Sequence, residues 1–140
     1  FGVIQDKALM QKISDDTKAY LLASISAKPY LECYRQLFSN PDFHVFYKAP
    51  ALLTVFAKPE GPNPACDCAL AAQNIMLAAH SLGLGSCWIG FAQMSLNTPE
   101  LKEQLGIPKE YIAVAPIIIG HPAKTSPEIF KREPKLLFWK

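Results

Sequence analysis

Two stretches of the chain are apolar on consecutive positions, and a third is apolar on nearly every face of a helix. Ala51 to Lys58, ALLTVFAK, lies between Pro50 and the turn-rich PEGPNP. Its unbroken apolarity predicts an inner β-strand with both faces covered. Tyr111 to Ile119, within YIAVAPIIIG, is β-branched and predicts a second strand, in which Pro116 lacks a ladder donor and so marks an edge position or a bulge. Between them, Pro64 sets up a helix start, Asp67 suits the first turn, and LAAQNIMLAAHSL runs helical until Gly83 stops it. A helix so apolar, and so rich in alanine, predicts a central or interface position.

The remaining pattern is more broken. Residues 6–27 carry Leu9, Met10 and Ile13, then Tyr20 to Leu22 and Ile25, on either side of the polar run SDDT. This predicts two short helices, the second capped near Ser14 or Asp15, with Pro29 as the stop. From Tyr30 to Tyr47 the spacing is irregular, with Asn40-Pro41 as a turn signal, so a surface helix and then a loop are expected. Ser86 to Phe91 reads as a short extended piece, and Thr98 with Pro99 opens a short helix that ends at Gly106. The tail from His121 to Lys140, with Pro122, Pro127 and Pro134, reads as an extended arm. Helices alternating with apolar strands predict an α/β or α+β sheet covered on both faces.

Composition narrows the class. At 140 residues, half of them hydrophobic, the whole of 1–140 reads as one domain. A net charge of +2 with mixed signs provides no basic stripe for a nucleic-acid backbone. Ala65 to Phe91 is interrupted by Asp67, Gln73, Asn74 and His80, so no membrane span is expected and the protein reads as soluble. The opening GVIQDKALMQKI has no signal-peptide pattern. The chain begins at Phe1 without an initiating Met, so residues upstream are expected to be missing.

Cys33, Cys66, Cys68 and Cys87 are expected to be reduced thiols of a cytoplasmic protein. The Cys66-Asp67-Cys68 spacing with His80 is not a zinc pattern, and no metal site is expected.

Candidate chemistry centres on GLGSCWIG, residues 83–90. Gly83 and Gly85 form a GxG that closes a helix, whereas a dinucleotide fingerprint follows a strand and opens one. The two glycines are therefore read as a helix stop and a turn. His44, His80 and His121 are scattered, with no HExxH or GxSxG pattern, and are read as structural or solvated. Cys87 as a nucleophile would need a base that the sequence does not locate. Lys131-Arg132 is either a solvated pair or a phosphate ligand.

DCALAAQNIMLAAHSLGLGSCWIGF, taken with LKEQLGIPKEYIAVAPIIIGHPA and the closing KREPKLLFW, resembles the nitroreductase family of FMN-dependent oxidoreductases. FYKAPALLTVFAK is similar to the family's central strand, while residues 1–40 resemble it loosely. The resemblance implies an α+β, nitroreductase-like sheet covered by helices with an extended C-terminal arm. It also implies an intertwined homodimer with FMN at the interface, and ping-pong electron transfer from NAD(P)H or another donor to nitro compounds, quinones or similar acceptors.

Trp88, Ile89 and Gly90 match the segment whose backbone lies against the flavin, with an N–H toward its N5 and O4 region, and Lys131 and Arg132 match the family's phosphate ligands. The flavin carries the chemistry, and no catalytic side chain is implied. The family's Arg-rich start and its Asn-Gln-Pro-Trp-like segment do not occur in this chain, so the domain reads as incomplete at its N-terminus. Two alternatives follow: a non-catalytic flavin-binding or dimerisation module, and a cysteine or metal enzyme using Cys66, Cys68 and Cys87.

Overall fold

Ala51–Ala57 and Ile112–Gly120 pair with each other as the two inner strands of a four-stranded antiparallel sheet. The computed structural model describes residues 1–124 and 132–140. In chain order its elements are β1 (Gly2–Ile4), α1 (Lys7–Ser24), a 3₁₀ helix (Pro29–Tyr34), α2 (Arg35–Ser39), β2 (Ala51–Ala57), α3 (Pro64–Ser81), β3 (Gly85–Trp88), α4 (Ala92–Ser95), α5 (Pro99–Gln104) and β4 (Ile112–Gly120). The strand order is β1-β2-β4-β3. With three residues, β1 is too short to show an alternating pattern and is not foreseen from the sequence.

Both faces of the sheet are covered, as unbroken apolarity requires. Leu52, Ala113 and Ile118 point into one core with Met10 and Ile13 of α1, Ala92 of α4 and Leu101 of α5. Val55, Ala57, Ala115 and Ile117 point into a second core with Cys68 and Ala72 of α3. Val114 and Ala115 are neighbours on the same face because the register shifts there, Val55 facing Ala115 and Phe56 facing Ala113.

Pro116 is therefore near a bulge, as one of its two readings expected, but β4 is interior and not an edge. The ladder explains the tolerance. Trp88 faces Ile117, so the next residue, Ile89, faces Pro116; the Ile89 N–H donates to the Pro116 carbonyl at 2.8 Å. The return bond would need a Pro116 N–H, which does not exist. The Ile89 carbonyl instead accepts the Ala92 N–H at 3.1 Å, so β3 ends and α4 begins.

Residues 7–24 form one helix, in contrast to the two expected. Its cap is Asp6, whose carboxylate accepts the Leu9 N–H at 2.7 Å, rather than Ser14 or Asp15. The polar run SDDT is not a break because its residues divide between two faces. Asp15 and Asp16 lie outward, paired with Lys18 and Lys12 at 3.0 and 2.8 Å. Ser14 and Thr17, one turn apart, lie inward and are fully buried with their hydroxyls bonded.

Helix α3 ends as its glycine predicts. Gly83 has φ of 72°, its N–H donates to His80 O at 3.0 Å, and the Leu84 N–H donates to Ala79 O at 2.9 Å, the paired bonds of a left-handed helix stop. Gly85, read as part of that turn, is instead the first residue of β3, paired with Gly120. One face of α3 packs on the sheet through Cys68, Ala72 and Ala79, while Leu70 and Leu77 on the other remain 68% and 57% exposed. The all-round burial expected for this helix is thus absent within a single chain.

Candidate functional site

Trp88, Ile89 and Gly90 occupy the point where β3 leaves the sheet. Ile89 is buried beside Val45 and Phe46 and fixes the segment to the core. Trp88 is 36% exposed despite its size, and Gly90 is exposed. A Cβ placed on Gly90 would have nothing within 4 Å. Among the described residues, the Gly90 N–H donates no hydrogen bond, although its carbonyl accepts the Gln93 N–H at 3.2 Å. An exposed glycine whose N–H is unpaired among the described residues thus lies next to a large, partly exposed aromatic side chain.

The facing wall is the turn from His44 to Ala49. Val45 and Tyr47 from this turn, with Cys87 to Phe91, line a cavity of about 240 Å³. Tyr47 and Lys48 both have positive φ, 52° and 56°, a conformation that side chains disfavour by roughly 1–2 kcal/mol per residue. Strain of this kind persists only where surrounding bonds dictate it.

Those bonds are present. The Val45 N–H donates to Ser14 Oγ at 2.9 Å, the Phe46 N–H to His44 Nδ1 at 3.1 Å, the Tyr47 N–H to His44 O at 2.8 Å, and the Ala49 N–H to Phe46 O at 2.9 Å. His44 is buried, and that burial holds its imidazole below the ordinary value; Lys18 and Lys48 lower it further, while Asp15 acts in the opposite sense. Accepting the Phe46 N–H at Nδ1 requires the neutral ring with its proton on Nε2.

Helix α1 also reaches the other wall. Thr17 Oγ1 lies 2.6 Å from Ser95 Oγ of α4, and both hydroxyls are buried. Thr17 also reaches Ile13 O at 2.7 Å and Ser95 reaches Ala92 O at 3.0 Å, so two protons serve three contacts. Ser14 and Thr17 thus attach one helix to both sides of the cavity. Sequence reasoning missed Ser14, His44, Val45 and Tyr47. The inward Ser-x-x-Thr spacing was a usable signal for one of them, but a left-handed Tyr-Lys pair has none, since neither is glycine.

Of the two predicted phosphate ligands, only Arg132 falls among the described residues. Arg132 is exposed in a segment without regular structure and is not among the residues lining the cavity. Lys131 lies outside the described residues. Cys87 is exposed, with Trp88 O as its hydrogen-bond acceptor at 3.7 Å, and no histidine lines the cavity with it. A larger cavity, about 480 Å³, runs between β1, β2 and the α5–β4 loop, but it holds no charged side chain and none of the residues predicted to carry chemistry. No helix of the described residues is long and apolar enough to cross a membrane.

The architecture has counterparts among solved structures. The sequence profile of the nitroreductase family matches residues 1–121, and the chain belongs to that family. An FMN reductase (NADPH) of Bacillus subtilis strain 168 is 42% identical over 60 residues, which are 43% of this chain and 23% of that protein. The matches to curated relatives take in between 23% and 32% of each relative's length. A nitroreductase of Desulfitobacterium hafniense DCB-2, crystallised with bound FMN, superposes with a TM-score of 0.78 at 26% identity, covering 99% of this chain and 73% of that one. An FMN-bound nitroreductase of Bacteroides fragilis NCTC 9343 gives the same TM-score at 24% identity, covering 97% and 72%, a likeness of fold. The expected α+β, nitroreductase-like fold is therefore observed.

Proposed function

We propose that the chain works as an FMN-dependent oxidoreductase, passing electrons from NAD(P)H or another donor to nitro compounds, quinones or similar acceptors by ping-pong exchange. The observation that carries this reading is Gly90, whose N–H is unpaired among the described residues and which lines one cavity with exposed Trp88 and Tyr47. An isoalloxazine ring fits that chemistry: its faces suit aromatic and apolar walls, and its N5 and O4 accept hydrogen bonds. When bound, FMN supplies the hydride and electron chemistry.

The chain's residues do the rest. Gly90 N–H favours negative charge where reduction places it, Trp88 and Ile89 form the backing of the ring site, and Gly90, lacking a Cβ, leaves room for close approach. Arg132 and Lys131 are proposed to neutralise the FMN phosphate. A cavity of about 240 Å³ is smaller than most small-molecule sites, so a further wall is needed. A homodimer would provide it, and the exposed Leu70 and Leu77 of α3 support a second copy packing on that helix. Four free cysteines support a cytoplasmic setting.

The test is reconstitution of the purified protein with FMN, followed by anaerobic addition of NAD(P)H and other donors. Retained flavin absorbance that bleaches with a donor and returns with a nitro compound or quinone is expected. Protein that retains no flavin would overturn the proposal. Flavin that is held but bleached by no donor would favour the alternative of a non-catalytic flavin-binding or dimerisation module, for which the supporting observation is that Arg132 does not line the cavity.

A further inference from the structure

We propose that His44 is a positioning residue for the flavin site, holding the Val45–Tyr47 wall in its left-handed turn only while its imidazole is neutral. The inference rests on the FMN reading above. His44 makes two of the three bonds within this turn: Nδ1 accepts the Phe46 N–H at 3.1 Å and its carbonyl accepts the Tyr47 N–H at 2.8 Å, while the Ala49 N–H donates to Phe46 O at 2.9 Å. Phe46 is fully buried, so its N–H has no water to turn to if Nδ1 is lost. Protonation converts Nδ1 from acceptor to donor, opposing the Phe46 N–H directly. The turn then keeps only its two backbone bonds, from Tyr47 N–H and Ala49 N–H, to hold Tyr47 and Lys48 at positive φ, and Val45 and Tyr47, the residues it presents to the cavity, are less firmly held.

The charges around the ring favour this switch in one direction. Lys48 of the same turn and Lys18 of α1 oppose a positive imidazole, and Asp15 of α1 favours it. Lys7 and Gln11 of α1 line a shared cavity with His44 and Lys48 on the side away from the flavin wall. Burial outweighs Asp15, so the folded protein resists protonation more than the unfolded chain. The sign follows: the native turn binds fewer protons than the unfolded chain, its stability is fully present above the ordinary value of 6.5, and it is lost as pH falls toward and through the lower folded value.

The test compares the parent with His44→Asn and His44→Leu, measuring FMN affinity by quenching of flavin fluorescence between pH 8 and pH 5. The Asn amide oxygen reaches the N–H two residues on, as in an Asx turn, and does not titrate. FMN's own phosphate titrates near pH 6, so the informative quantity is the difference between parent and variant. The parent should lose roughly tenfold more affinity on acidification than His44→Asn, and His44→Leu should bind roughly tenfold more weakly than the parent at pH 8, the effect of one unmet buried N–H. The protection of the Phe46 amide, its exchange rate relative to the intrinsic rate at each pH, provides a readout without flavin: low in His44→Leu at every pH, low in the parent only in acid, high in His44→Asn throughout. Equal pH dependence of parent and His44→Asn, or parent-like affinity and exchange in His44→Leu, overturns the proposal. If no variant binds FMN while the exchange pattern is obtained, the FMN reading fails and with it the role in a flavin site; the parent's affinity at pH 8 separates the two failures.

Discussion

Replacing Ser14 by alanine should destabilise the protein more than replacing Thr17 by valine, although both remove one fully buried hydroxyl from the same face of α1. At Ser14 the lost oxygen is the acceptor of a backbone N–H, that of Val45, at 2.9 Å, and Val45 is 1% exposed. Alanine leaves that donor buried without a partner, at a cost of about 1–3 kcal/mol. At Thr17 valine keeps the volume and orphans nothing: Ser95 turns its proton to Ala92 O, already 3.0 Å away, and Ile13 O retains its helical bond. The loss there is one net hydrogen bond, about 0.5–1.5 kcal/mol. Urea unfolding followed by tryptophan fluorescence measures both; at a slope of roughly 3 °C per kcal/mol for this size, melting should separate the variants by a few degrees. A Thr17→Val loss equal to or larger than that of Ser14→Ala would refute the assignment of the Ser14 hydroxyl as the sole partner of the Val45 amide.

Gly90→Val should fold with parent-like stability, because nothing lies within 4 Å of its Cβ, yet bind FMN about tenfold or more weakly. Gly85→Val, whose Cβ would touch Gly120 O and Pro122 at 3.6 Å, should affect stability before affinity; titration with FMN beside thermal melting separates the two. Gly120→Ala should cost about 1–3 kcal/mol in chemical denaturation, since its Cβ would lie 2.7 Å from Pro50 Cδ, part of a ring that cannot swing away. Of the four thiols, Cys33, Cys66 and Cys87 are exposed, whereas burial raises the Cys68 pKa with a smaller push from Asp67. Mass spectrometry after brief iodoacetamide treatment should find three modified sites, with Cys68 reacting only on unfolding.

The legible parts of this fold were those in which composition and geometry agree over many residues. Ala51–Ala57 and Ile112–Gly120 are apolar throughout because helices cover both faces, and Gly83 marks the end of α3 because the stop needs positive φ. The errors share another cause. SDDT looked like a break because polarity was read along the chain, while a helix sorts residues around its axis: Ser14 and Thr17 inward, Asp15 and Asp16 outward. Of the two readings of Pro116, an edge or a bulge, the edge reading fails because a missing donor need not face solvent. Hidden from the sequence are the contacts between residues 31 and 78 positions apart, as the Ser14 hydroxyl makes with the Val45 N–H and Thr17 with Ser95.

Pro116 gives the site one further property. The chain leaves the sheet at Ile89 because the opposing strand has no hydrogen to offer, so the exit point of the Trp88–Gly90 segment is specified by an atom that is not there. A donor restored at that position would let Ile89 O choose between the strand and Ala92, and Gly90 would then inherit either outcome. Residue identity along Trp88–Gly90 would be untouched while the direction of that segment changed. A buried β4 position therefore belongs among the determinants of the path of this cavity-lining segment, although it does not itself line the cavity.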